Sequence, residues 1–501
     1  MELVRNYIGG QWVPGSGGEL DPDYDPATGE VIAQVTRSTP ADARAAAQAA
    51  AAAFPAWRKV PAPQRGEILY RVGEILRQRK EELARLLTRE MGKVLVEARG
   101  DVQEAIDMAY YMAGEGRRMF GHTVPSELPD KFAMSIREPV GVVAAITPWN
   151  FPIAVPSWKI LPALVCGNTV VWKPAPETPM TSAAFVQCFI DAGLPPGVLN
   201  LVVGGGADVG AALVEDPDVR LISFTGSTAT GRKVAEAAGR HLKRVTLELG
   251  GKNAITVLAD ADLDLAVEAI VWAAFGTTGQ RCTAASRVIV EEAIYDELVR
   301  RLVERVKRLR LGHGLEEGVE VGPLVGAAAV EKVQRYVEIG RQEGAEVIVG
   351  GEPVKEGDLA RGFFYSPTIL GRVSPEMAVA QEEIFGPVLA LIPVKDLDEA
   401  IRVNNSSRYG LSASIFTRDL NKAFKAMREL DTGIVYVNHG TTGAEIQLPF
   451  GGTKDTGNGH REAGQAALDV FCEWKSVYVD YSGRLQRAQI DTEALAKAGR
   501  G

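Results

Sequence analysis

The spacing of apolar residues changes twice along this chain, and each change predicts a different kind of element. The first hundred residues read as mostly helical after a short strand-like start. "RGEILYRVGEILRQRKEELARLLTREMGK" repeats apolar residues at helical spacing. The alanine-rich "PADARAAAQAAAAAFPAW" before it reads as a packed helix rather than low complexity, because its neighbours are amphipathic. From Val140 the pattern breaks into short apolar runs ending in Gly, Pro or polar turns: "VGVVAAITPWNFP", "GNTVVWKPA", "NLVVGGG", "VRLISFTGS" and "RVTLELGGKNAITVL". Helical stretches such as "TSAAFVQCFIDAG" and "TGRKVAEAAGRHL" lie between them. That alternation predicts βαβ units and a parallel sheet covered on both faces.

A second α/β section follows Asp260, with helices expected through Arg310 and then strands near "AEVIVGG", "FGPVLALIPV", "LSASIFT" and "GIVYVN". The run "WKSVYVDY" alternates faces from Lys475 to Tyr481. It has no hairpin partner adjacent in sequence, so it must pair with a remote segment, in this chain or in another subunit. Residues 484–501 are polar with little core-forming content. The fold class expected is α/β, with two Rossmann-like parallel-sheet domains and a small β element for assembly.

At 501 residues the chain is long enough for about two to four domains. Its 46% hydrophobic and 24% charged content is that of an ordinary globular protein. A net charge of -9 argues against a broad nucleic-acid or anionic-membrane surface. No apolar run approaches the roughly 20 residues needed to span a bilayer. The start, "MELVRNYIGGQW", lacks a basic segment followed by an apolar one, so no secretion signal is expected. Four irregularly spaced cysteines do not form a disulfide framework, which fits a reducing cytoplasm. Without CxxC and with five scattered histidines, no Cys/His metal site is expected.

Four stretches look arranged for chemistry. "FGTTGQRCTAASR" sets Cys282 in a run of small and hydroxylated residues, whereas Cys166, Cys188 and Cys472 have apolar or aromatic neighbours. A small buried thiol is the common fate of a free cysteine; against it stand a loop able to expose the sulfur and the adjacent Arg281, expected to favour the thiolate. In "TPWNFP", Asn150 follows an apolar run at the carboxyl end of a strand, where ligand sites of open α/β sheets form. It is either a turn cap or a donor to a developing oxyanion. "TLELGGKN" ends a strand on Glu248, either a salt-bridge partner or a general base with a raised pKa. The glycines after it are expected to admit a ligand close to the backbone. "FTGSTATG" places Gly226 and Ser227 before a helix, whose free N–H groups can hold a phosphate. Lys173, ending "VVWK", is a solvated strand-end lysine or a cation for a nucleotide.

Taken together and in order, "TPWNFP", "VVWKPAPETP", "FTGSTATG", "LELGGKN", "GQRC" and "EEIFGP" resemble the aldehyde dehydrogenase superfamily, from about Tyr7 to Tyr481. The resemblance implies NAD- or NADP-dependent oxidation of a small-molecule aldehyde to its acid, through a thiohemiacetal and a thioester. It implies Cys282 as nucleophile, Glu248 as base, and Asn150 with the Cys282 N–H as oxyanion hole. Lys173 would contact the adenosine ribose, and Gly226 and Ser227 the pyrophosphate. Glu383 would bind the nicotinamide ribose, Phe385 would flank the nicotinamide, and Trp149 would border the cofactor channel. Implied boundaries are 1–122 and 142–250, with 449–470 returning, for the cofactor domain, and 251–448 for the catalytic domain. Oligomerisation strands would lie in 123–141 and 471–483, followed by a tail at 484–501, in a cytoplasmic homodimer or homotetramer.

Pro176 stands where many NAD-selective relatives carry Glu, which leaves NAD and NADP both open. The loop "NHGTTGAEIQLPFGG" resembles the substrate-anchoring loop, and with "GQRC" it resembles members acting on semialdehydes. Arg281 has two competing uses: pairing with a structural carboxylate, or binding a second carboxylate on the aldehyde. Thr441, Thr442 and Gly443 would add neutral donors to that group. Two rival readings are a cysteine esterase, which lacks a histidine in a comparable motif, and a retired binding relative, which would be expected to have lost Cys282, Glu248 or Asn150.

Overall fold

The computed structural model describes residues 2–491. Two seven-stranded sheets organise the chain. The first runs, in spatial order, Arg244–Glu248, Val219–Thr225, Val142–Ile146, Thr169–Lys173, Leu199–Leu201, Asn6–Ile8 and Gln11–Val13. Its first five strands are mutually parallel, and the two N-terminal ones join antiparallel. "VVAAI" at Val142–Ile146 is buried at every position, as a central strand covered on both faces requires. The alanine-rich segment is the helix Pro40–Trp57, started by a Thr39–Asp42 capping box. Ala43, Ala46, Ala47 and Ala50 form its buried stripe and pack on Val142, Ala144 and Val171 of the sheet. Alanine is used there because it lets the helix backbone approach the sheet closely.

The second sheet runs Glu346–Val349, Thr368–Gly371, Val388–Val394, Ala285–Glu291, Asn253–Val257, Ser412–Phe416 and Ile434–Val437, parallel except at its first pair. The chain therefore crosses from one sheet to the other between Glu248 and Asn253, across Leu249–Gly250–Gly251–Lys252. Sequence patterning misjudged two regions. The expected helices through Arg310 are interrupted by Ala285–Glu291, a central strand carrying the β-branched run Val288–Ile289–Val290. The N-terminal start is five short strands within residues 2–36, not one.

The orphan strand finds its partner in its own chain. Cys472–Asp480 pairs antiparallel with Lys131–Pro139 over nine residue pairs, and Thr123–Pro125 completes a three-stranded sheet. The outer edge of Cys472–Asp480 has no strand partner among the described residues. Residues 450–470 pack back on the first sheet: Leu249 N–H donates to Thr456 O at 2.7 Å, and Phe450, Ala467 and Leu468 join its core. Of the polar tail, Gln486 is anchored on Pro129 O at 2.7 Å, and residues 492–501 lie outside the described residues. Among the described residues no helix is long and apolar enough to cross a membrane, and no group of three or more His, Cys, Asp or Glu could hold a metal ion.

Candidate active site

Parallel strands carry their carboxyl ends to one edge, and the register of the first sheet brings four predicted residues there. Ile146 lies opposite Lys173 on one side and Phe224 on the other, and Thr225 lies opposite Glu248. Asn150, Lys173, Gly226 and Glu248 thus leave neighbouring strand ends, the place where open α/β sheets form ligand sites. Gly226 N–H donates to Glu248 O at 3.0 Å. Ser227 caps the helix Thr228–Arg240, accepting from Thr230 N–H at 3.3 Å.

Cys282 comes from the other sheet, on the loop before Ala285–Glu291. That loop contains two consecutive threonines in left-handed backbone, Thr277 (φ 49°, ψ 28°) and Thr278 (φ 57°, ψ 35°). β-Branched residues resist this region, at about 1–2 kcal/mol each. Glu97 holds the turn: its carboxylate accepts Thr277 N–H at 2.9 Å, Thr277 Oγ1 at 3.0 Å and Arg281 Nη2 at 2.9 Å. Asn150 Nδ2 donates to Gln280 O at 3.0 Å, tying the two sheets together two residues before the cysteine. Asn253 Nδ2 donates to Cys282 O at 2.7 Å. The glycines after Glu248 make room for atoms of the site itself. A Cβ on Gly250 would meet Glu383 Oε2 at 2.6 Å, and one on Gly251 would meet Cys282 O at 2.6 Å.

A cavity of about 350 Å³ opens at Cys282. Phe151, Trp158, Trp272, Leu411 and Phe450 form its apolar wall, while Glu248, Arg281, Thr442, Gly443 and Glu462 supply polar atoms. Burial pushes the Cys282 thiol up to about 12, and the Glu248 and Glu383 carboxylates add to that rise. The expected help from Arg281 is absent because Glu97 neutralises it. Burial also raises Glu248 well above the carboxylate range, followed by the field of Glu462; Lys159 and Arg461 oppose the rise. Glu248 Oε2 has no hydrogen-bond partner among the described residues.

Sequence reasoning missed Glu97, Lys159 and Glu462. Lys159, fully buried on the helix Ala154–Val165, bonds Glu462 and reaches Ser223 Oγ at 3.2 Å. A lysine within the apolar "SWKILPALV" is a signal that a buried partner must exist. Thr441 is a correction: its hydroxyl donates to Thr283 O at 2.7 Å, fully buried, and it does not line the cavity. Thr442 and Gly443 do line it, and Thr442 Oγ1 is buried without a partner among the described residues.

The groups expected around a nicotinamide cofactor have contacts of their own. Glu383 Oε1 accepts Gly251 N–H at 2.9 Å, and Phe385 meets Trp149 edge-on with ring centroids 5.7 Å apart. Phe385 sits in left-handed backbone at φ 61°. Lys173 Nζ donates to Pro174 O at 2.7 Å, and its burial lowers it to about 8. Helix N–H groups and a buried strand-end lysine as donors, with a carboxylate acceptor and an aromatic pair, are groups of the chemistry a dinucleotide needs.

A model of the aldehyde dehydrogenase family matches residues 12–477. An alpha-ketoglutaric semialdehyde dehydrogenase of Bacillus subtilis is 44% identical over 475 residues, 95% of this chain and 97% of its own. A 2,5-dioxopentanoate dehydrogenase of Saccharolobus solfataricus is 41% identical over 481 residues, 95% of this chain and 99% of its own. The crystal structure of a betaine aldehyde dehydrogenase from Staphylococcus aureus in complex with NAD+ superposes with a TM-score of 0.94 at 34% identity, covering 96% of this chain and 95% of that one. The chain belongs to the aldehyde dehydrogenase family and is an enzyme of NAD(P)-dependent aldehyde oxidation.

Proposed function

We propose that this enzyme oxidises an aldehyde carrying a distal carboxylate, with Cys282 as nucleophile, Glu248 as base, and NAD or NADP as hydride acceptor. Cys282 gives its thiol proton to water, its Sγ attacks the aldehyde carbon, and the oxygen that becomes negative is met by Asn150 Nδ2 and the Cys282 N–H. Only one Asn150 Nδ2 hydrogen is engaged by Gln280 O, which leaves the second for this role. Fixed donors of this kind contribute about 3–4 kcal/mol each to the transition state. The bound cofactor supplies the acceptor that removes hydride from the thiohemiacetal, leaving a thioester on Cys282. Glu248 then takes a proton from water, which attacks the thioester and releases the acid. Burial, followed by the field of Glu462, raises this carboxyl, so it holds the proton that water gives up more firmly than a solvated carboxylate would. Glu462, bonded to Lys159, lines the cavity with Glu248. Lys173, Gly226, Ser227, Glu383, Phe385 and Trp149 would hold the dinucleotide.

The observation that carries the substrate class is Arg281. Its Nη2 is bound to Glu97 and its Nε to Thr277 Oγ1, while Nη1 is without a hydrogen bond among the described residues on a residue that lines the cavity beside Cys282. Thr442 lines the same cavity, and its buried Oγ1 has no hydrogen-bond partner among the described residues. A carboxylate there would gain charge-assisted bonds. The names of the semialdehyde dehydrogenases that share 41–44% of this sequence support the same class. In Arg281→Ala, the ratio of kcat/KM for succinate or glutarate semialdehyde over hexanal is expected to fall about tenfold or more, mainly through KM. An equal loss for both aldehydes would remove the carboxylate reading and leave general aldehyde oxidation.

The open edge of Cys472–Asp480 carries exposed Trp474, Tyr478 and Val479. Unpaired edges invite pairing, and we read this sheet as the assembly surface of a homodimer or homotetramer. Light scattering on the full chain should give two or four times 53.7 kDa; a stable active monomer would refute the assignment. Four free cysteines fit a reducing, cytoplasmic setting.

A further inference from the structure

The loop that carries Cys282 does not hold its shape by its own preferences. Thr277 and Thr278 both occupy left-handed backbone, a region that single residues visit and that β-branched residues avoid. Two such residues in succession persist only when their surroundings over-determine them. Thr278 Oγ1 donates to Gly322 O at 2.9 Å, which fixes one end. At the other end the acceptors for Thr277 N–H are the two oxygens of Glu97, both at 2.9 Å. The same carboxylate accepts Thr277 Oγ1 and Arg281 Nη2, so one side chain grips both ends of the segment that leads into Cys282. Gly276 makes the grip possible, because a Cβ there would meet Glu97 Oε1 at 2.9 Å and Arg281 Nη2 at 3.0 Å.

We propose that Glu97 is a positioning residue of the nucleophile loop: its carboxylate clasps Thr277 and Arg281, keeps the left-handed turn, and thereby sets where Cys282 presents its sulfur. Glu97 belongs to the helix Leu95–Glu115, whose neighbouring residues Gly100 and Glu104 also line the cavity. The wall that admits the aldehyde is therefore the wall that orients the nucleophile. Without the clasp, Thr277 returns to right-handed or extended backbone, and the chain from Gly276 to Cys282 shifts relative to Asn150 and Glu248. The inference rests on the reading of Cys282 as nucleophile.

The decisive experiment is a rescue. Glu97→Ala should lower kcat about a hundredfold with hexanal and semialdehyde alike, the size of effect that a misplacement of about 1 Å produces. Cofactor binding, followed by quenching of intrinsic fluorescence, should stay within about twofold. Adding Thr277→Gly lets that position take positive φ without steric cost, so the turn no longer needs its clasp. The double variant should then recover about tenfold or more of kcat, and the rate of Cys282 alkylation should recover with it. A Glu97→Ala enzyme within threefold of wild type, or a folded double variant with no recovery, overturns the proposal. If Glu97→Ala does not fold, Glu97→Gln with and without Thr277→Gly gives the same comparison, and absence of recovery again overturns it. Cys282→Ala is the separate control: aldehyde turnover surviving there would defeat the nucleophile reading itself, whatever Glu97 does.

Discussion

Glu248→Gln is expected to complete the first half of the reaction and stall in the second. Mixed rapidly with aldehyde and oxidised cofactor, it should release about one equivalent of reduced cofactor per active site, seen at about 340 nm. Later turnovers should then be slowed about a hundredfold or more, the usual contribution of a positioned general base. The expectation follows from where the carboxyl lies. Glu248 ends the strand Arg244–Glu248, lines the cavity with Cys282, and keeps Oε2 without a partner among the described residues. Glutamine retains the shape and the oxygen but cannot accept a proton from water. Steady turnover near the wild-type rate would remove Glu248 from the role.

The second large effect is in pH. Burial, and then the Glu248 and Glu383 carboxylates, disfavour the thiolate and push Cys282 up to about 12 in the ligand-free enzyme. Because deprotonation is what is opposed, the reactive fraction grows with rising pH, about tenfold per unit until the thiol titrates. Iodoacetamide labelling of the Cys282 peptide should therefore climb about a hundredfold between about pH 7.5 and 9.5 without levelling. Cys166, Cys188 and Cys472 are buried and serve as internal references. A plateau at or below about pH 8 would show a thiolate already formed at rest. The raised value also shows why the adjacent Arg281 is not an activator. Its Nη2 is paired with Glu97, and burial, followed by the Glu248 and Glu383 carboxylates, raises the thiol.

What the sequence made legible follows a physical division. The first sheet is readable because fully buried strands such as "VVAAI" and "TVVWK" contrast with the turns that end them. Asn150, Lys173, Gly226 and Glu248 are readable because strand ends converge by the rules of parallel sheets. Residues whose meaning depends on a distant partner left no local trace. Arg281 and Glu97 are 184 positions apart, and Lys159 and Glu462 are 303 apart. No periodicity links such pairs, so the Arg281–Glu97 contact could not be read from the sequence. The strand Ala285–Glu291 was hidden among helices because its apolar run, Val288–Ile289–Val290, is too short to separate from a buried helical segment. Thr441 shows the opposite error, since a hydroxyl in a substrate-like loop was already committed to Thr283 O.

The central claim, that Cys282 carries the substrate through a thioester, is tested most directly by mass. Glu248→Gln is quenched in acid after its burst with aldehyde and oxidised cofactor, and the peptide containing Cys282 is weighed. Cys282 should gain the mass of the aldehyde less two hydrogens, and hydroxylamine should remove it. An unmodified Cys282 after a full burst, or an acyl group on another residue, would contradict it.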